Sequence, residues 1–412
     1  MMPASIEPPT RPLHPLRRVL SDFGTAYAAS GLIGFVFAAS GPIAVILSVG
    51  QRGGLSEAQL ASWLFGCFFV NGLLTLAFSF LYRQPLAFFW TIPGTVLVGP
   101  ALAHLSFPEV VGAYYLTGAL MLALGLSGWV RPAMRAIPMP IVMGMVAGVF
   151  LRFGVDLVHS LRDDAMIALP MVATFLALSA LPGLSRRVPP LLGTLAVGAV
   201  VLALSSRLAP GALEGPVLAL PSLVTPQWSW QAMAELVVPL AITVLVVQNG
   251  QGIAVLGAAG HAAPINAVAT ACGAGSLAGA LTGTVSSCLT GPVNAILCAS
   301  GDRARQYTAG MVVGLLSIPF AFLAPGFTRL MLATPPAFIA TLAGLAMLRV
   351  LQAAFGIAFK DRFTLGALVS FIVTVSDISI LNIGAAFWGL VAGVLVSLLL
   401  EREDHQAARA KG

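Results

Sequence analysis

Long apolar runs that carry no charge decide most of what this chain can become. Residues 142–149 and 387–400 contain no Asp, Glu, Lys or Arg, and similar stretches recur along the whole length. A lipid hydrocarbon core about 30 Å thick takes a helix of roughly 20 apolar residues. By that measure about fourteen segments lie near residues 23–49, 57–82, 88–104, 109–128, 133–157, 163–182, 189–206, 232–258, 264–281, 282–300, 306–325, 331–357, 362–377 and 380–400. Charged residues make up 9% of the 412 and hydrophobic ones 58%, whereas a soluble domain carries about 25% charged residues. The runs do not alternate polar with apolar, which argues against a transmembrane barrel. The expected fold class is therefore an all-α polytopic membrane protein.

Residues 1–22 have no apolar core of a cleavable signal, so the first span is expected to direct insertion. With the N-terminus placed in the cytoplasm, Arg11, Arg17, Arg18, Arg83, Arg131, Arg135, Arg186, Arg187, Arg303, Arg305, Lys360, Arg362, Arg402, Arg409 and Lys411 fall inside. Arg52, Arg152, Arg162, Arg207, Arg329 and Arg349 remain outside or near outer ends. This bias points to cytoplasmic termini and an even number of spans. The net charge of +6 reads as topology, and nucleic acid is not an expected partner. Cys67, Cys272, Cys288 and Cys298 stand apart in apolar segments, without metal-ligand spacing. No phosphate loop, nucleophile–base pattern or zinc-protease motif appears. The chain is read as having no catalytic residues, no metal and no cofactor.

The two halves resemble each other. Ile137-Pro-Met-Pro-Ile-Val-Met-Gly-Met-Val-Ala-Gly-Val-Phe-Leu-Arg152 matches Thr334-Pro-Pro-Ala-Phe-Ile-Ala-Thr-Leu-Ala-Gly-Leu-Ala-Met-Leu-Arg349, with an Arg fourteen residues after the first Pro in each. Ser40-Gly41-Pro42 before Gly54 corresponds to Gln248-Asn249-Gly250 before Gly260. Seven spans per half is an odd number, so the halves insert with opposite topology, which is a transporter design with its site at the midplane. The divisions expected are a tail at 1–22, repeats at 23–206 and 232–400, a loop at 207–231, and a tail at 401–412.

Two segments break the helical pattern. Trp90-Thr-Ile-Pro-Gly-Thr-Val-Leu-Val-Gly-Pro100 holds Pro93, which lacks an N–H and disfavours helix at Ile92. Its partner in the second half is Leu281-Thr-Gly-Thr-Val-Ser-Ser-Cys-Leu-Thr-Gly-Pro-Val-Asn-Ala-Ile296. There, alternating Thr282, Thr284 and Ser286 suit a short extended piece, and Thr290-Gly291-Pro292 suits a helix start. Two half-helix N-termini aimed at one point form a ready site for an anion; the competing reading is a proline kink packed against a Ser/Thr interface. The substrate-binding residues expected are Thr91, Gly94 and Thr95 on one side and Ser286, Ser287, Thr290 and Gly291 on the other. Gln248 and Asn249, costly inside an apolar helix unless partnered, are expected to orient the ligand, or else to clasp helices together.

Asp156, Glu235 and Asp377 fall near span ends, and no carboxylate stands at mid-span in either broken segment. His104 and His261 read as loop or interface residues. Arg152 and Arg349 read as snorkelling or capping residues near the outer face, with attraction of an anion by either as the alternative.

Phe89-Trp90-Thr91-Ile92-Pro93-Gly94, Gln248-Asn249, the Pro and Ala-Gly repeats at 138–148 and 335–344, and Ile383-Gly-Ala-Ala-Phe-Trp-Gly-Leu-Val-Ala-Gly393 resemble the BenE-type benzoate transporters. The resemblance spans nearly the whole membrane region. It implies a benzoate:proton symporter-like protein of the bacterial inner membrane with the UraA-like fold. That fold has two inverted seven-span repeats, strand-plus-half-helix elements in spans 3 and 10, and a core domain moving against a gate domain. The chain departs from the family pattern at Gln248-Asn249-Gly250-Gln251-Gly252, and at Gly283-Thr284-Val285 and Cys288, where the family carries Gly-Gly-His and a later Asn. The expectation is a secondary transporter of a small organic anion, with a proton as coupling ion and dimerisation through the gate. Carriage of nucleobases or inorganic anions, or passive conduction, is the alternative.

Overall fold

The computed structural model describes all residues except 1–5, 11–14, 136, 182, 184–187, 206, 208–213, 216, 219–220, 379, 382 and 410–412. Arg11, Arg186, Arg187 and Lys411, and parts of the expected tails and of the 207–231 loop, lie outside the described residues. The first half holds span 1 (Thr25–Ala38 and Gly41–Arg52), span 2 (Glu57–Tyr82) and span 3, a strand β1 (Phe88–Trp90) leading into a half-helix (Ile92–Ala101). Span 4 (Phe107–Ser127), span 5 (Met139–Asp163), span 6 (Ala165–Ala180) and span 7 (Pro190–Ser205) complete it. The second half holds span 8 (Trp230–Ala258), span 9 (Ile265–Ala280) and span 10, a strand β2 (Ser287–Leu289) leading into a half-helix (Gly291–Cys298). Span 11 (Tyr307–Phe322), span 12 (Pro336–Ala358), span 13 (Thr364–Val375) and span 14 (Ala385–Leu400) follow.

Six helices among the described residues are long and apolar enough to cross a membrane alone: spans 1, 2, 4, 5, 8 and 12. The other spans are shorter helices or strand–helix composites, and a 70° bend joins span 11 to the surface helix Ala324–Leu332. Local chemistry sets the ends. Ser56 with Gln59 and Ser106 with Glu109 form capping boxes that start spans 2 and 4. Gly128, at φ 77°, closes span 4 in the left-handed conformation.

The repeat governs packing. Span 2 lies on span 11 and span 9 on span 4, which are exchanged pairs of repeat mates, and span 5 lies on its own mate, span 12. Spans 1–4 and 8–11 pack as one group and spans 5–7 and 12–14 as another. The groups meet where span 12 touches the second half of span 1 and span 5 touches the half-helix of span 3. Close crossings need glycine: a Cβ on Gly72 would press on Ser317, and one on Gly344 on Phe153 and Leu157.

The extended piece expected at 282–286 lies later in the chain. Residues 281–283 form a turn, with Gly283 at φ 74°, and the strand occupies Ser287–Leu289. The Thr282 and Thr284 hydroxyls bond each other (3.1 Å), and Thr284 donates to the Trp63 carbonyl (2.8 Å). These threonines tie the turn to span 2 instead of continuing the strand.

Candidate functional site

β1 and β2 pair antiparallel with Phe88 opposite Leu289, Phe89 opposite Cys288 and Trp90 opposite Ser287. The ladder extends one residue each way: the Thr290 N–H donates to the Ala87 carbonyl (3.1 Å) and the Thr91 N–H to the Ser286 carbonyl (2.9 Å). A two-stranded sheet has two open edges. At membrane depth no water satisfies them, so the protein must. Thr75 of span 2 accepts from the Phe88 N–H (2.8 Å) and donates to the Phe88 carbonyl (3.1 Å). Ser276 of span 9 accepts from the Ser287 N–H (3.0 Å). Asn249 of span 8 accepts from the Leu289 N–H (2.7 Å), and Asn294 of span 10 from the Ala87 N–H (2.8 Å).

The two half-helices start alike in sequence and unlike in capping. Thr91 caps the first: its hydroxyl accepts from the Gly94 N–H (3.1 Å) and donates to Thr243 (3.3 Å). Thr290 occupies the same place before Gly291-Pro292-Val293, yet its side chain makes no cap. The first intrahelical bond there runs from the Asn294 N–H to the Thr290 carbonyl (3.2 Å). The Gly291 and Val293 N–H groups therefore meet no acceptor among the described residues. An uncapped helix start of this kind carries partial positive charge.

A pocket opens at this uncapped end. Phe37, Ala38 and Pro42 from the break in span 1, Phe89, Trp90 and Ile92 from span 3, and Thr290 and Val293 from span 10 line it. It is an open cleft, with about 250 Å³ of empty space when the solvent at its mouth is counted. Its walls are aromatic and aliphatic; Thr290 brings a hydroxyl, and the Trp90 indole N–H is buried without a partner among the described residues. Behind the wall, Phe68 packs edge-on against Phe89 and Trp90 at 5.8 and 5.3 Å. Apolar walls beside an uncapped helix start suit an apolar group with an anionic end.

Of the residues expected from sequence, Thr290 lines the pocket and Gly291 adjoins it. Thr91, Gly94 and Thr95 are buried in the capped start of the first half-helix, where Thr95 donates to the Thr91 carbonyl (2.9 Å). Ser286 is buried with a hydroxyl lacking a partner, and Ser287 lies in β2 against Ser276. Asn249 is engaged by Leu289 and by Cys272 (3.6 Å). Gln248, 6% exposed inside the π-helical turn Thr243–Asn249, has no hydrogen-bonding partner among the described residues. Beyond the Ser40-Gly41-Pro42 repeat match, nothing in the sequence marks the wall residues Phe37, Ala38 and Pro42 as part of a site.

One other expectation changes. Arg152 lies thirteen residues after Met139 and eleven before Asp163, and Arg349 thirteen after Pro336 and nine before Ala358. Both are exposed at mid-helix and neither is at an outer end. His104 takes the interface reading: its Nε2 lies 2.9 Å from the buried Glu235 carboxylate at the start of span 8.

The model of the family described as "BenE: Benzoate membrane transport protein" matches residues 21–399. Among curated proteins, the chain is 29% identical to inner membrane protein YdcO of Escherichia coli K12 over 387 residues, covering 91% of this chain and 95% of that protein. It is 26% identical to the benzoate membrane transport protein of Acinetobacter baylyi over 393 residues, covering 93% and 98%. Among solved structures, the transmembrane domain of the cyanobacterial bicarbonate transporter BicA superposes with a TM-score of 0.61 at 15% identity, over 94% of this chain and 97% of that one. The murine anion transporter Slc26a9 in its inward-facing state gives 0.63 at 13% identity, over 94% and 70%. These two superpositions show the fold of two inverted seven-span repeats. The family model spans all fourteen segments, so the chain is a multi-pass membrane transporter that belongs to the BenE family.

Proposed function

We propose that the protein is a secondary active transporter that moves benzoate or a related aromatic carboxylate together with a proton across the bacterial inner membrane. The observation that carries this reading is the pocket itself, an aromatic slot ending at an uncapped helix start. A benzene ring enters between Phe37, Phe89, Trp90 and Ile92 once these walls part, and the carboxylate then meets the Thr290 hydroxyl and the Gly291 and Val293 N–H groups. A helix N-terminus favours a nearby anion by about 0.3–2 kcal/mol. Thr91, Gly94 and Thr95 hold the opposite half-helix in place, Ser286 and Ser287 support the strand beneath, Asn249 fixes β2, and Gln248 lies outside the slot's lining with a carboxamide left free for a substrate that moves past it.

Spans 1–4 and 8–11 then act as a core that rocks against a gate of spans 5–7 and 12–14, exposing the pocket to each side in turn. Both termini face the cytoplasm, as the Lys and Arg distribution favours, and copies pair through the gate. The names of the benzoate and anion transporters it resembles support the substrate class. Apolar walls disfavour bicarbonate and nucleobases, which need several polar contacts.

The test is counterflow in proteoliposomes. Labelled benzoate should enter faster against unlabelled benzoate inside, saturate, and accelerate with an acid exterior. Net flux without exchange would identify a passive conductor. Competition by bicarbonate or uracil alone would replace the substrate.

A further inference from the structure

A carrier for an anion needs positive charge near its path, yet the eight residues lining the pocket carry none. Arg152 and Arg349 are repeat mates on the two helices that touch spans 3 and 1 of the core group. Spans 5 and 12 run antiparallel: Ser160 bonds Thr341 (2.9 Å), and Gly154 faces Leu351. The two arginines therefore sit at nearly the same depth, halfway along their helices.

Each shares its helical face with a residue that meets the core group. Arg152 is four residues before Asp156, which pairs with Arg52 at the end of span 1. Arg349 is three residues after Ala346, whose methyl group sits over Gly41 beside the pocket residue Pro42. Residues three or four apart share a helix face. Both arginines also mark a boundary. Residues 141–148 are all buried, and exposure begins at Arg152 and continues toward Asp163. Residues 341–345 are all buried, and exposure begins at Arg349 and continues through Gln352 and Gly356 toward Lys360. In antiparallel helices these exposed faces open at opposite ends. Arg152 has no acceptor among the described residues, and Arg349 has only the neutral Gln352 (3.1 Å). A guanidinium at mid-span without a carboxylate belongs beside water or an anion.

We propose that Arg152 and Arg349 are two capture sites for the substrate carboxylate, one reached from each side of the membrane, and that both deliver it to the shared pocket. The inference rests on the anion-carrier reading above. Because the two approaches are separate, each arginine governs entry from one face only.

The experiment uses the full chain in proteoliposomes of a single orientation, with benzoate as probe and kinetics measured from each face. Arg349→Gln should raise KM about tenfold from the face toward Ala358 and leave kcat and the other face within twofold. Arg152→Gln should do the reverse. Arg152→Lys and Arg349→Lys should restore most of the affinity, and high salt should weaken wild-type binding at each face. Unchanged KM in folded Gln variants, an equal loss at both faces, or failure of the Lys variants to rescue would each overturn the inference. Wild-type protein that carries no benzoate overturns the underlying reading instead, so the two failures are distinguishable.

Discussion

Thr75→Val removes one hydroxyl at constant shape and strands two backbone groups. The Thr75 hydroxyl both accepts from the Phe88 N–H (2.8 Å) and donates to the Phe88 carbonyl (3.1 Å), and both residues are fully buried. A buried backbone group left without a partner costs about 1–3 kcal/mol, so the two together cost about 2–6 kcal/mol. That is a large fraction of a total stability of about 5–15 kcal/mol. Thr117→Val is the control. The Thr117 hydroxyl is equally buried, but it donates to the Ala113 carbonyl in its own helix (2.8 Å). That carbonyl keeps its helical N–H, so the loss there stays below about 1 kcal/mol. Unfolding of purified protein in detergent, by heat and by denaturant, reads both. Thr75→Val should fall far below wild type, Thr75→Ser should recover most of the difference, and Thr117→Val should stay near wild type. Equal losses for the two Val variants would refute the claim that side chains of neighbouring spans satisfy the sheet edges.

Three further outcomes follow from other contacts. Asn249→Ala removes the acceptor of the Leu289 N–H (2.7 Å); it should cost about 1–3 kcal/mol of stability and abolish uptake in vesicles that still hold folded protein, whereas normal uptake kinetics would show that β2 tolerates the loss. Gly66→Ala points a methyl at the Thr282 and Thr284 hydroxyls, and overpacking of this kind costs about 1–3 kcal/mol; thermal unfolding at the wild-type temperature would contradict it. Arg52→Gln breaks a partly exposed pair with Asp156 between the two helix groups. Such a pair is worth about 0–1 kcal/mol, so opening at that face should speed up by no more than about fivefold in exchange assays, and Asp156→Asn in the same chain should add nothing further.

Much of this architecture is written plainly in the residues. Charge-free runs of membrane length place the spans, and Pro93-Gly94 with Gly291-Pro292 marks the breaks in spans 3 and 10. The Arg152 and Arg349 motifs reveal the repeat. What the sequence hides is what depends on partners distant in the chain. Ala38 and Pro42 carry no chemistry of their own, so nothing marks them as pocket walls until span 1 is seen to break beside β1. Thr91 and Thr290 look interchangeable, yet one hydroxyl caps its helix and the other faces the pocket. Asn249 reads as a ligand contact because an amide in an apolar helix needs a partner; the strand edge at Leu289 is that partner. The π-helical turn at Thr243–Asn249, which packs against β2, has no sequence signature.

The central claim is that an aromatic carboxylate sits in the slot between span 1, β1 and the half-helix of span 10. Ala38, 3% exposed on the slot wall, offers a direct block. Calorimetric titration of benzoate into purified wild-type and Ala38→Phe protein tests it, with benzyl alcohol as the uncharged comparison. Saturable benzoate binding to wild type, none with benzyl alcohol, and none to a folded Ala38→Phe protein is the predicted result. Benzoate binding to Ala38→Phe as tightly as to wild type would place the substrate elsewhere and contradict the account.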